Sequence, residues 1–465
     1  MLSRIRCAMG LLSGGCSPHA IRRVRTTVAG MTVDRERMVD ELARMVAVPS
    51  IGIEPEHGAD VLRSAQQVAE AFRAVGVPVE VVTAGGGAPA VIGRREGPAG
   101  APTVLLYAHH DVQPVGRRDE WGSEPFELTE RDGRLYGRGS ADDKGGVVVH
   151  LETLRELGEH PPVGIAVLIE GEEEIGSPTL QSLLDEHAKT LRADLVLAPD
   201  SVNPAPMVPS LTVSLRGLLS VGVSVRTMSA AVHSGIFGGA VPDALTALVR
   251  LLDSLVTPGG SPAVAGLHPG TGPSASVAPT EAGVRKGAGV LEGVELIGAG
   301  PLGQRLFDAP SVSVLGLDAP PTAGAANVLH PSARATVGFR LAPEDDPVSA
   351  FEAVRAHLEQ HAPWGVQLEV ELLQAGRGWR GKAGPVADLA RTALTGAFGS
   401  ATVDVGVGGG IPFVAAVSAA LPDAAVLVTG VQDDRTRAHA PDESVDPDAL
   451  VAMAQAQVEL LRSLG

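Results

Sequence analysis

Thr103-Val-Leu-Leu-Tyr-Ala-His109-His-Asp111 is a short apolar run that ends on two imidazoles and a carboxylate. Its length and its Val and Leu content predict a buried β-strand. His109 and Asp111 lie two apart, so on an extended chain their side chains share one side. A carboxylate so placed can hold a metal-binding imidazole in one tautomer. A polar loop that merely follows a strand is the plainer alternative for these residues taken alone.

The same theme recurs along the chain. Val163-Gly-Ile-Ala-Val-Leu-Ile ends at Glu170 and Glu172-Glu-Glu174, Asp194-Leu-Val-Leu-Ala ends at Asp200, and Ala424-Ala-Val-Leu-Val is followed after a loop by His439. Short Val, Leu and Ile runs separated by helical stretches predict a largely parallel α/β sheet. Such sheets place ligands at the carboxyl ends of their strands. Each candidate strand delivers a His or a carboxylate there, which points to a metal site. Gly137-Arg-Gly-Ser-Ala-Asp142-Asp-Lys-Gly-Gly146 opens a helix that should run to about residue 157. It lacks the order of a phosphate loop, and adjacent aspartates would repel phosphate. A tight turn presenting Asp142 to a cation fits better, and Asp142 could bridge two ions held about 3.5–4 Å apart. The run 172–174 is either a solvated acidic loop or a division of labour. In the second case one glutamate ligates metal and its neighbour carries a proton.

Composition agrees with this reading and narrows it. The 465 residues are long for one domain, and 44% apolar content is ample for a core. A net charge of −17 argues against a nucleic-acid partner, because phosphate binding needs concentrated Lys and Arg. The only cysteines are Cys7 and Cys16, so the body of the chain must bind any metal through His, Asp or Glu. No apolar run approaches the roughly 20 residues that cross a bilayer, so no membrane partner is expected and a cytoplasmic location is. Residues 1–31 are Arg-rich and acid-poor, as transit peptides are. A secretory signal and a start at Met31 are the other readings, and we take the segment as an untidy or misassigned N-terminal extension.

Helices are predicted at 35–46 and 59–75, with a strand at 79–82. Between 211 and 379 the pattern changes. Runs at 213–215, 221–225, 335–341 and 366–372 look like alternating, half-exposed strands, with helices at 244–255 and 348–360 between them. The stretch 257–279, rich in Gly, Pro and Ser, reads as a loop. The expected fold is therefore α/β. A mostly parallel-sheet domain with helices on both faces is formed by 32–210 and 380–465, and a smaller α+β domain is inserted at 211–379.

Several motifs in order make the chain recognisable: His109-x-Asp111-Val-Gln-Pro, Gly137-Arg-Gly-x-x-Asp142-Asp-Lys-Gly, Glu170-Gly-Glu-Glu173-Glu174-x-Gly-Ser, Asp200, His233-Ser-Gly-x-Phe-Gly-Gly and Arg437-Ala-His439-x-Pro-x-Glu443. From about residue 38 to the C-terminus it resembles the dinuclear zinc exopeptidases and deacylases, a family of aminoacylase, carnosinase, glutamate carboxypeptidase and succinyl-diaminopimelate desuccinylase. Carnosinase-like dipeptidases look nearest. The resemblance implies two Zn²⁺ per subunit, with Mn²⁺ or Co²⁺ as substitutes. His109, Asp142 and Asp200 would hold one ion, and Glu174, His439 and the shared Asp142 the other. Asp111 would orient His109, Glu173 would be the general base, and the Asp142–Asp143 peptide would be cis. The insert would be a lid and homodimerisation domain whose His233 reaches the neighbouring subunit's site to stabilise the oxyanion. Arg340 would clamp a substrate carboxylate, and Gly409 and Gly410 would line the substrate through their backbone.

Two departures stand out. His110 sits where relatives often have tyrosine, and Gly408-Gly-Gly-Ile-Pro412 lacks the serine hydroxyl of Gly-Gly-Ser-Ile-Pro. The implied activity is hydrolysis of amide bonds in dipeptides or other small peptides. An N-acyl amino acid deacylase or a carboxypeptidase is the alternative within the family, and a catalytically dead peptide-binding module is the alternative outside it.

Overall fold

In a computed structural model that describes residues 33–270, 275–277 and 279–465, the Thr103–His109 strand is buried along its whole length inside a nine-stranded sheet. The order across the sheet is Val79–Val82, Ala90–Arg95, Gly164–Glu170, Thr103–His109, Leu195–Ala198, Ala425–Val428, Ser210–Leu215 and Trp379–Arg380, with Val403–Val407 also paired to Ser210–Leu215. The strands from Gly164–Glu170 to Ala425–Val428 run parallel, and antiparallel strands flank them. All four carboxyl ends therefore open on one edge, where the expected ligands follow.

Alternation divides each central strand between two cores. Val104, Leu106 and Ala108 pack with the helices Arg35–Val46, Gly58–Ala74, Lys144–Leu157, Pro385–Phe398 and Pro447–Leu464. Leu105 and Tyr107 face the opposite layer, which includes Leu180–Glu186 and Pro412–Ala420. The first helix shows why these elements form where they do. Asp34 caps it by accepting from Arg37 N at 3.1 Å. Met38, Leu42, Met45 and Val46 then return to the buried side at helical spacing.

A separate four-stranded antiparallel sheet has the order Ser311–Asp318, Ser332–Leu341, Gly217–Arg226, Gln367–Gly376. The helices Ala244–Ser254 and Pro347–His361 cover one face over a core of Val221, Val223, Val337, Phe339, Leu248 and Val354. Its two outer strands are largely exposed.

The predicted helices and most predicted strands lie within a residue or a few of their observed ends. The run at 213–215 differs. Ser210–Leu215 belongs to the nine-stranded sheet, and the chain crosses to the smaller sheet at Arg216. Its apparent alternation, Val213-Ser214-Leu215, does not mark a half-exposed strand, because Ser214 is as buried as Leu215. Trp379–Arg380, which pairs with Leu215 and Ser214, likewise closes the larger sheet. The extension at 1–31 lies outside the described residues, as does part of the loop at 257–279. No helix among the described residues is long and apolar enough to cross a membrane.

Candidate metal centre

The sheet edge gathers every predicted ligand. His109 ends its strand, and Glu173–Ile175 forms a 3₁₀ turn just past Gly164–Glu170. Asp200 follows Leu195–Ala198, Asp142 stands before the helix Lys144–Leu157, and His439 sits in the loop after Ala425–Val428. The Asp142–Asp143 peptide is cis, as the resemblance implies.

Asp142 joins the set. Its Oδ1 lies 3.1 Å from His109 Nε2, and its Oδ2 lies 3.0 Å from His439 Nε2. His439 Nε2 is also 3.2 Å from Glu174 Oε2. Tetrahedral ligands bound about 2.0–2.1 Å from one ion lie roughly 3.3 Å from one another. These three spacings are close to that value, and the donors of each group lie within 4.8 Å of one another.

Two groups of potential ligands result: His109 with Asp143 and Asp200, and Asp142 with Glu174 and His439. Asp143 is the difference from the sequence reading, which has only Asp142 beside His109 and Asp200. Its two carboxylate oxygens are buried, with only the His109 and Gly146 backbone amides close by and no bond of good geometry among the described residues, so a cation would satisfy them. The adjacent aspartates are visible in the sequence, but nothing local says which of them faces the site.

The electrostatics demand positive charge. Burial pushes the carboxyls of Asp143 and Asp200 well above the usual range, and repulsion from Asp142 adds to it. Burial, with repulsion from Asp142 and Glu174, raises Glu173 to about 7. Burial would raise Asp142 too, but contacts with His109 and His439 hold it low. Contacts with Asp142 and Glu174 raise His439 to about 10. A buried cluster so rich in carboxylates is costly unless cations neutralise it. The nearest buried lysine, Lys144, turns away and donates to Met45 O and Val48 O.

Asp111 does more than the spacing foretells. His109 Nδ1 meets the Asp111 main-chain O at 3.1 Å and the Asp111 Oδ1 at 3.4 Å, so this residue orients the imidazole. Its two carboxylate oxygens also accept from Glu173 N at 3.2 Å and Glu174 N at 3.0 Å. One buried aspartate thus sets the imidazole and the glutamate turn together. His110 stays apart: its Nε2 meets Pro89 O at 2.9 Å, and burial lowers its pKa to about 4.

The residues expected at the substrate lie elsewhere. His233 is exposed, and its one hydrogen bond among the described residues is from Gly235 N to its Nδ1, so this chain does not bring it to the cluster. Arg340 is half-buried on Ser332–Leu341, paired through its backbone with Ser311 and Leu218, and its guanidinium has no hydrogen bond or ion pair among the described residues. It neighbours Arg216, whose pKa burial and the Arg340 charge lower to about 10. Arg216, absent from the sequence reading, donates to Gly408 O, Arg305 O and Ala309 O, each at 3.3 Å. It therefore holds the Gly408–Gly410 loop where the chain passes between the sheets. A Cβ on Gly410 would sit 3.2 Å from Arg216 O, whereas Gly409 faces open space.

Comparison with known proteins bears on the whole chain. A cysteinylglycine-S-conjugate dipeptidase of Corynebacterium striatum is 33% identical over 447 residues, covering 95% of this chain and 98% of that one. The Cys-Gly metallodipeptidase dug1 of Schizosaccharomyces pombe is 34% identical over 248 residues, half of this chain and 52% of its own. Among solved structures, human carnosine dipeptidase 1 superposes with a TM-score of 0.73 at 23% identity, over 92% of this chain and 96% of that one. An M20 family metallo-carboxypeptidase of Sulfolobus solfataricus does so at 0.77 and 22%, over 92% and 99%. These last two speak for the shared fold. With the profile described as "Peptidase family M20/M25/M40" matching residues 105–463 and a relative alike over nearly its full length, the chain belongs to that peptidase family.

Proposed function

We propose that the chain is a two-metal dipeptidase that removes one residue from small peptides by general-base hydrolysis. The observation that carries this reading is the Asp142 carboxylate, whose two oxygens touch imidazoles on opposite sides of the cluster. His109 and Asp200, with Asp143 at hand, would hold one cation. Glu174 and His439 would hold the other, with Asp142 between them. Zinc suits a nitrogen and oxygen donor set of this kind, with Mn²⁺ or Co²⁺ as substitutes. Bound there, the ions would acidify water and polarise the scissile carbonyl.

The chain's own groups supply the rest. Among the described residues the Glu173 side chain makes no hydrogen bond, and its raised pKa suits a group that takes a proton and returns it. It would accept the proton of the attacking water and pass it to the departing amine. Asp111 keeps His109 Nδ1 engaged, so that Nε2 faces the centre. Arg340, whose guanidinium has no hydrogen bond or ion pair among the described residues and neighbours Arg216, would pair with the substrate's terminal carboxylate, which favours exopeptidase action. His233 points to solvent in its own chain, which suits a role across a homodimer made through the smaller sheet. We place the enzyme in the cytoplasm, where a body free of cysteine suits reducing conditions.

The similar dipeptidases support a dipeptide substrate over an acylated amino acid. A panel of dipeptides, acyl amino acids and phosphoesters, run with added Zn²⁺ or Mn²⁺, tests this. Dipeptides, cysteinylglycine conjugates among them, should turn over fastest. Turnover of acyl amino acids with dipeptides left intact would replace this reading by the deacylase one.

A further inference from the structure

Three segments bring ligands to the Asp142–Glu174–His439 group, and one guanidinium is linked to all three, to two of them through Glu443 and Gln113. Arg138 is 1% exposed, and its Nη1 donates to Glu443 Oε2 at 2.6 Å. Glu443, fully buried, accepts from the turn that presents Asp142: Gly139 N at 3.0 Å, Ala141 N at 3.0 Å and Asp142 N at 3.2 Å. Arg138 Nη2 donates to Ala440 O at 3.4 Å, next to His439. It also donates to Pro114 O at 3.1 Å, next to Gln113, whose amide donates to Glu174 Oε2 at 2.9 Å. The loop so gripped holds Arg437, His439 and Asp442 at φ of 57°, 62° and 62°. Residues other than glycine keep that conformation only where their surroundings fix it.

We propose that Arg138, paired with Glu443, is the positioning residue of this second cation group, setting Asp142, Glu174 and His439 against one another. The proposal rests on the two-cation centre above. The fork geometry matters because a lysine presents a point charge and could not serve three acceptors in a plane. Among the described residues the group of His109, Asp143 and Asp200 receives no bond from Arg138 and is linked to it only through the shared Asp142, so the ion held with Glu174 and His439 should be affected more than the other.

The test is titration of metal-free protein with Zn²⁺ and, for its visible spectrum, Co²⁺. Wild-type chain should bind two ions. Arg138→Lys and Glu443→Gln should each weaken the ion held by Glu174 and His439 by about 10–100-fold, the usual loss when a group behind a ligand is changed, and weaken the other, which shares only Asp142, by clearly less. Arg380→Lys is the control, since it breaks a pair with a buried carboxylate outside that loop, Arg380 Nη2 with Asp308 Oδ1 at 2.8 Å, and should keep both affinities. Combined with Glu174→Gln, Arg138→Lys should add no further loss, because both act on the same ion. If Arg138→Lys does not fold, as judged by circular dichroism, Glu443→Gln carries the same comparison. Unchanged affinities in the folded variants, or equal loss of both ions, would overturn the proposal. Fewer than two ions on the wild-type chain would overturn the two-cation centre itself, and that failure is recognisable because it needs no substitution.

Discussion

Glu173 and Glu174 leave the same 3₁₀ turn, yet their carboxylates meet different surroundings. Glu174 Oε2 lies against His439 and accepts from Gln113, while the Glu173 side chain has no hydrogen bond among the described residues. Glu173→Gln should therefore keep both metals and lose about 10²–10⁴-fold in kcat. Glu174→Gln should lose or weaken one metal instead, read by elemental analysis. Exchanged phenotypes would shift the assignment by one residue. A base must be ionised to accept a proton, and burial raises Glu173 to about 7 in the ion-free chain. Activity should then fall as pH drops through the Glu173 pKa, an acid limb that Glu173→Gln removes from the residual rate. Most of the centre is legible at this scale, because His109, the 172–174 run, Asp200 and His439 each follow an apolar run. Asp143 and Arg216 are not. Their roles depend on what faces them, and the Arg216 partner Gly408 lies 192 positions away.

At the scale of elements, burial on both sides is what makes the central strands readable. Thr103–His109 and Gly164–Glu170 show no exposed position, so their sequences are unbroken apolar runs. Leu106 is fully buried, and Leu106→Ala should cost about 2–5 kcal/mol of stability, measured by urea unfolding. A loss under about 0.5 kcal/mol, the range of surface changes, would mean that this strand is not the core element described. Three of the strands longer than three residues have no counterpart in the sequence reading: Ala90–Arg95, Ser311–Asp318 and Val403–Val407. Ala90–Arg95 ends in Gly and two Arg, Val403–Val407 is interrupted by Asp and Gly, and Ser311–Asp318 is an edge strand exposed over most of its length. Their conformation is fixed by neighbouring strands rather than by their own pattern.

For the whole molecule, the smaller sheet poses the question of what covers it. Ser311–Asp318 is an outer strand with Val314, Leu315 and Leu317 exposed, an edge that proteins usually protect. A symmetric dimer through this sheet would cover it and could carry His233 to the partner's site. Mixing an inactive Glu173→Gln chain with an inactive His233→Ala chain should then restore about a quarter of wild-type activity. Half the dimers would be mixed, each with one complete site. No recovery after proven subunit exchange would place His233 outside the partner's chemistry. The centre on which all of this depends is tested most directly by metal content and dipeptide hydrolysis measured on the same samples. Protein stripped by a chelator should be inactive and should regain activity as Zn²⁺, Mn²⁺ or Co²⁺ is added, reaching its plateau at two ions per chain. Full hydrolysis by protein shown by elemental analysis to be metal-free would contradict the account.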